Sequence, residues 1–376
     1  MKKILLVATV QSHICQFHRA LVKMLRAADE KVEIHVAARD NLAEKNGLKL
    51  DFADKVFDVP FERSPFSAKN IGAYRVLKKI IDDGNYDIVH CNTPVGGILA
   101  RMASKKCRRH GTKVFYTAHG FHFYNGAPKK NWMIYYPIEK YFSHYTDVLI
   151  TINEEDYALA KSRFKCRVEH IHGVGVDNER FFQGDRKTVS ELRKKLDTGD
   201  SAVLCVGELL PNKNQAMAIK AMSEVVKAVP DAKLFIAGNG PEQEELSGLI
   251  NRLGLQNNVK LIGYITDLEN WQKACAVSVS CSKREGLGLN LIEGMMSGNP
   301  AVAVKNRGHN ELITDGENGF LVEQGDHLAM ANRLIELLLD KEKYNSCSEK
   351  SMVIASGYSF DIVKKELKDI YYGKTK

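Results

Sequence analysis

The chain has 376 residues, 44% of them hydrophobic and 27% charged, which suits two hydrophobic cores at about 100–200 residues per domain. No apolar run reaches the about 20 residues a spanning helix needs, and the opening MKKILLVATVQSH turns polar too soon, and without a small-residue cleavage site, to be a secretory signal. Net charge is +8 and uneven: residues 1–180 carry 29 Lys+Arg against 20 Asp+Glu (+9) and the rest 25 against 26 (−1), so the first half suits an anionic partner such as phosphate esters, a membrane surface or nucleic acid, or is simply a solvated basic surface.

In chain order, short β-branched runs alternate with amphipathic stretches. KILLVATV, VEIHVAA, DIVHC, KVFYTA and DVLITI read as strands in the first half, and AVLCVGE, AKLFIAGNG, NVKLIGY, CAVSVSC and PAVAV in the second. Helical patterns fall between them at 16–28, 70–82, 95–109, 213–229 and 241–253. Strand, helix, strand at this spacing predicts parallel sheets covered on both faces, hence two doubly wound α/β units. Glycines and charge in GVGVDNERFFQGDRKTV place a linker near 173–200, giving domains 1–180 and 181–356; the amphipathic segment after Gly357 reads as a last helix, able to cap either unit. The eight cysteines form no CxxC pair and have no histidine at zinc spacing, which points to reduced thiols in a cytosolic protein. Cys91, Cys205 and Cys281 lie in apolar runs and read as small hydrophobes.

Ligands of open α/β sheets bind outside the carboxyl ends of the strands, so the loops after strands are the places to look. In TAHGFHFYNG, His119 stands just past a strand, with His122 among aromatics behind it. An imidazole there, with a pKa ordinarily near neutrality, can orient a hydroxyl or meet a developing charge, or be a structural hydrogen-bonding group. In VGELLPNKNQ a strand ends at Gly207 and Lys213 stands at the mouth of a helix, an arrangement suited to phosphate, or one in which Asn212 caps the helix and Lys213 is merely exposed. IAGNGPEQEEL lacks the third glycine of a dinucleotide fingerprint. In CSKREGLGLNLIEGMMSGNP, Glu285 falls in a loop and Glu293 in the first turn of a helix entered near Asn290. The amides of Gly288, Leu289 and Asn290 would point at a diphosphate, and a first-turn carboxylate can grip a vicinal diol. Asn290 followed by Glu293 also resembles a capping box, which would occupy Glu293 without a ligand.

Taken together, QFHRAL, CNTPVGG, YTAHGFHFYNGAP, GVGVD, VGELLPNKNQ, AGNGP, the glutamate pair in REGLGLNLIEGMMSGNP, NRGHNELI and DGENGFLV resemble the retaining GT-B glycosyltransferases of family 4, which include capsule and exopolysaccharide enzymes. The resemblance implies two Rossmann-like domains facing across a cleft, the first holding the acceptor and the second the nucleotide sugar, with the last helix returning to the first domain. It implies that Glu285 contacts the donor sugar, Glu293 holds the ribose, Lys213 binds the donor diphosphate and His119 lies near the sugar at the reaction centre. The donor it implies is a UDP-sugar, with no separate cofactor, and the acceptor a glycan or polyprenyl-diphosphate-linked sugar. Where many relatives carry an arginine after the glycine of VG, this chain has Glu208, so diphosphate neutralisation falls to Lys213, loop amides and Arg284. No DxD occurs, which argues against a metal held that way.

Two other readings share features with this one. A nucleotide-sugar epimerase can have the same fold but needs no basic acceptor face. A nucleic-acid-binding protein would use the basic half, yet no helix-turn-helix, RNP-like strand or zinc finger is present, so no nucleic-acid partner is expected. Lys129 and Lys130 ahead of Trp132, Met133, Ile134, Tyr135 and Tyr136, together with KKCRRHGTK, suit an anionic membrane surface and a cytoplasmic protein lying peripherally at the inner face of the cell membrane.

Overall fold

The computed structural model describes residues 1–45, 48–182 and 184–373. The chain divides into two compact units, Met1–Gly175 joined by the segment from Phe360, and Val176–Ser359.

The first unit is a seven-stranded parallel sheet of β1 (Lys2–Val10), β2 (Val32–Arg39), β3 (Lys55–Asp58), β4 (Ile88–Asn92), β5 (Lys113–Ala118), β6 (Val148–Thr151) and β7 (Arg167–His170), in the order β3-β2-β1-β4-β5-β6-β7. The central strands are apolar on both faces because helices cover both; β4 is buried along its whole length, whereas edge strand β3 is nearly all exposed. The helical pattern at 16–28 resolves into two helices, Gln11–Phe17 and Arg19–Arg26, broken at His18. The first starts directly after β1, which carries His13 and His18 to the strand ends. The last helix, Phe360–Tyr372, packs on Arg19–Arg26 and buries Val363, Leu367 and Ile370. Its Tyr371 hydroxyl meets His90 Nδ1 at 2.5 Å.

Inside this unit Arg101 is 1% exposed and paired with Glu139 at 2.8 Å, joining the helices Pro94–Ala103 and Lys129–Ser143. Its Nε donates to Gly97 O at 2.9 Å and its guanidinium lies 4.0 Å from the Tyr116 ring centre.

The second unit is a six-stranded parallel sheet of β8 (Ala202–Val206), β9 (Lys233–Ala237), β10 (Val259–Gly263), β11 (Val277–Ser280), β12 (Ala301–Val304) and β13 (Gly319–Val322), in the order β10-β9-β8-β11-β12-β13. Helix residues Met217, Ile219, Met222 and Leu334 pack with Val203, Val279 and Val302 in its core. The segment read as a linker, 173–200, is mostly folded. It holds the helices Asn178–Phe181 and Arg186–Leu196, capped by the side chains of Asp177 and Asp185. Arg180 grips Glu269 through Nε and Nη2 at 2.8 and 2.6 Å, and Arg193 Nε reaches Ala274 O at 3.1 Å. Charge therefore marks contacts here, not a tether, and the division falls at 175/176 and 359/360 against the expected 180/181 and 356/357.

Replacing Arg101 by Met should cost about 3–5 kcal/mol, because it strands the Glu139 carboxylate among apolar groups. The double change Arg101→Met/Glu139→Leu should recover most of that loss in urea unfolding. A single variant as stable as the parent would show that the pair is solvated.

Candidate functional site

In the second unit the strand order reverses between β8 and β11, and the loops after these two neighbours flank the resulting crevice. The loop after β8 is pressed against the loop after β9. Gly207 N donates to Ala237 O at 2.9 Å and Leu209 N to Asn239 O at 3.0 Å. A Cβ on Gly238, whose φ is +143°, would lie 2.0 Å from Gly207 O, so only glycine fits. The aliphatic stem of Lys213 runs over Gly207, 3.5 Å from where a Cβ would be. Beyond it the helix Gln215–Ala228 starts after Asn214, which sits at φ +51° and makes no side-chain cap. Asn212 is not the cap: its Nδ2 donates to Arg284 O at 3.0 Å and its carbonyl accepts from Lys283 N at 2.8 Å. It ties the Lys213 loop to the loop after β11.

That tie brings Lys213 Nζ onto Glu285 Oε1. Burial disfavours the Glu285 carboxylate, but the adjacent ammonium and a Ser282 hydrogen bond outweigh it and hold its pKa below the usual carboxylate range. The helix Leu289–Met296 begins after Gly288 at φ +109°, again without a side-chain cap. The capping box is not formed: Asn290 lies inside the helix and its Nδ2 donates to Val206 O at 3.2 Å, at the end of β8. The amides of Leu289 and Asn290 belong to the first turn, where no intrahelical acceptor is in reach. Glu293 follows one turn on, partly exposed, as are Arg284 and Asn290. Glu208, at the position where many relatives carry an arginine, is exposed.

Four residues that support this loop were not singled out from the sequence. Arg307 Nε donates to Glu285 O at 3.3 Å, and a Cβ on Gly308 would lie 2.7 Å from Leu287 N, so the turn after β12 presses on the glutamate loop. His309 is fully buried; its Nδ1 bonds Val304 O at 2.6 Å, which leaves Nε2 buried without a hydrogen bond. Gln272, also buried, donates to Asn290 O at 3.2 Å and accepts from Ser278 Oγ at 3.2 Å. The signal for the first three lay in NRGHNELI, a glycine between polar groups after a strand. Gln272 gave none.

In the first unit His119 follows β5 and stands among imidazoles. Its Nε2 lies 3.2 Å from His13 Nε2 and 3.2 Å from Asn92 Oδ1, and its ring stacks on His18 at 6.0 Å, which stacks on His90 at 5.8 Å. His90 in turn is held by Thr117 Oγ1 at 2.7 Å. Burial draws the pKa of His18 down to about 4, and burial together with neighbouring rings lowers those of His13, His90 and His119. His119 is therefore a neutral donor or acceptor, and not the near-neutral titrating group its residue type suggests. His122 turns elsewhere, its ring against Tyr135 at 4.6 Å. In the helix Lys129–Ser143, Trp132, Tyr135 and Tyr136 pack on the core while Met133 and Ile134 are 76% and 42% exposed.

Residues 3–153 match the family of glycosyl transferase 4-like domains and residues 188–352 that of glycosyl transferases group 1. Over 374 residues the chain is 44% identical to EpsD of Bacillus subtilis (strain 168), a protein assigned as a glycosyltransferase, covering 98% of this chain and 96% of that one. It is 30% identical over 348 residues to the UDP-Gal:alpha-D-GlcNAc-diphosphoundecaprenol alpha-1,3-galactosyltransferase of Escherichia coli, covering 88% and 87%. Among solved structures, Anabaena HepE in complex with UDP and glucose is similar in fold, with TM-score 0.81, 21% identity and coverage of 98% and 99%. Sucrose-phosphate synthase from Thermosynechococcus elongatus gives 0.76 at 17% identity, covering 99% and 98%.

The Lys213–Glu285 pair has a defined pH signature. Because the folded-state pKa of Glu285 is lowered from its ordinary value of 4.5, its contribution to stability is full above that value and is lost as pH falls through the folded-state pKa. The parent should therefore exceed Lys213→Met by on the order of 1 kcal/mol at pH 7, and the difference should vanish in acid. Urea unfolding followed across pH measures it; a difference independent of pH would show that the pair does not govern Glu285.

Proposed function

The chain belongs to the GT-B glycosyltransferases built from 4-like and group 1 domains, and from that membership we propose that it moves a sugar, with retention, from a UDP-sugar to a glycan or polyprenyl-diphosphate-linked sugar in cell-surface polysaccharide synthesis. The observation that carries this reading is the Lys213–Glu285 pair at the sheet's switch point, beside the helix start that bears Glu293. In the free chain each charge neutralises the other. A bound donor offers each another partner: the diphosphate for Lys213, and the sugar hydroxyls for Glu285. First-turn amides of Leu289 and Asn290, with Gly288 and Arg284 beside them, add dipole and charge for the diphosphate, and Glu293 takes the ribose diol. As the anomeric C–O bond breaks, its electron pair passes to the diphosphate, which Lys213 and the amides stabilise. The acceptor oxygen bonds to the anomeric carbon on the same face, and its proton goes to a phosphate oxygen. His119, neutral, can orient a sugar hydroxyl without adding charge. The donor nucleotide and the lipid-diphosphate acceptor are supported by the named activity of the Escherichia coli relative; the chain carries no DxD, which supports a reaction without a metal on the diphosphate.

Incubation with a panel of nucleotide sugars should release free sugar from a UDP-sugar. Glu293→Gln should bind that donor about tenfold more weakly, since a charge-assisted grip on a diol is lost, while melting like the parent; equal affinity would remove Glu293 from the site. Lys213→Ala should lower turnover about 100-fold or more, and chelator should not. Turnover abolished by EDTA and restored by magnesium would contradict the assignment of charge stabilisation to Lys213.

We also infer attachment to an anionic membrane surface. Among the described residues no helix is long and apolar enough to cross a bilayer. Lys129 and Lys130 are exposed at the start of the helix that exposes Met133 and Ile134, which suits an interface position at about 1 kcal/mol per basic residue. Arg108 of the other basic stretch is already paired to Asp147 by two contacts of 3.0 Å, so the lysine pair is the better candidate. Co-sedimentation should require anionic vesicles, fade with salt and weaken in Lys129→Glu/Lys130→Glu; equal indifference to neutral and anionic vesicles would indicate a soluble acceptor.

A further inference from the structure

The imidazole cluster of the first unit carries more than the donor reading asks of His119. His13 and His18 come from the helix Gln11–Phe17 and the break behind it, His119 from the loop after β5. Each offers one ring nitrogen, and the three nitrogens lie within 4.8 Å of one another. Asn92 Nδ2 faces Val7 O at 3.4 Å, which turns its Oδ1 toward His119 Nε2 at 3.2 Å. An amide oxygen only accepts, so it calls for a proton on that nitrogen. His13 Nε2, also 3.2 Å away, must then accept the same proton. Protons alone leave this contact poorly satisfied, and His18 Nε2 is buried without a hydrogen-bond partner, an unfavourable condition for a polar atom.

A cation accepting lone pairs resolves all three. Two nitrogens bound to one tetrahedral zinc at about 2.0–2.1 Å stand about 3.3–3.4 Å apart, close to the 3.2 Å between His13 and His119. Neutral imidazoles suit Zn2+, Ni2+ or Cu2+, while Mg2+, Ca2+ and Mn2+ seek oxygen ligands. His13 and His119 keep part of their surface in solvent, which gives the ion a way in.

We propose that His13, His18 and His119 form a binding site for a borderline divalent cation of the Zn2+ class, with Asn92 Oδ1 or water completing the tetrahedron. The ion has no acidic ligand here and sits in a different unit from Lys213 and Glu285. Its consequence, which rests on the role given to His119 above, is inhibition: an occupied His119 cannot serve the sugar.

The test uses the full chain, stripped of metal. Titration with Co2+, followed by the visible absorption of tetrahedral cobalt, and calorimetric titration with Zn2+ should each give one equivalent. Affinity should fall by at least about tenfold in His13→Gln and His119→Gln and stay unchanged in His144→Gln, an exposed histidine just past a helix end. His18→Gln alters the core, so the partly exposed His13→Gln, checked by circular dichroism and melting, carries the decision. No stoichiometric binding, or equal affinity in His13→Gln, overturns the site. Zn2+ that binds as expected yet leaves transfer unaffected upholds the site and contradicts the role of His119.

Discussion

Lys213 and Glu285, 72 residues apart in sequence, are pressed together by the backbone around them. Strands β8 and β11 are neighbours because the sheet winds outward in both directions from β8, and the loops after them must share the space at the strand ends. Asn212 stitches one loop to the other, Gly238 lets the β9 loop close against Gly207, and Gly308 does the same for the turn after β12. The ammonium and the carboxylate are thereby held at one spot before any ligand arrives. Neither could be so well buried alone. On the proposed function, a nucleotide sugar would offer Lys213 its diphosphate and Glu285 its sugar hydroxyls in place of this mutual contact.

The first unit solves a different problem. Its buried charge, Arg101 against Glu139, is remote in character from the site and locks two helices. Its strand ends gather neutral histidines, with Tyr371 of the final helix closing over His90. A chain that leaves this unit at Gly175 and returns at Phe360 thus contributes its last residues to the side of the sheet on which His119 and His18 lie.

Much of this was legible in the residues. Most strands with β-branched or continuous apolar runs were found, because two-sided burial writes itself into composition. The short edge strands β3 and β7 were not, since KVFD and RVEH are half polar, and neither was β13, whose GFLV is apolar but only four residues long. The helix at 16–28 read as one element because its apolar period continues through His18; the break is a backbone event that periodicity does not report. Helices 178–181 and 186–196 hid in a stretch whose charges looked like solvent. Within the site, Lys213, Glu285, Asn290 and Glu293 stood out by position after strands. The capping role considered for Asn212 and Asn290 failed because both side chains bond to distant backbone, a tertiary contact that local spacing cannot foretell. His13 carried no local signal and His18 only its place in QFHRAL; the parallel pairing of β1, β4 and β5 brings them to His119.

The central claim is that the Lys213–Glu285 pair opens to receive a nucleotide diphosphate. A crystal structure of the full chain with UDP bound tests it most directly. The account predicts a β-phosphate oxygen within about 3 Å of Lys213 Nζ, the ribose hydroxyls on Glu293 and the Lys213–Glu285 contact released. UDP bound elsewhere, with that contact intact, would contradict it.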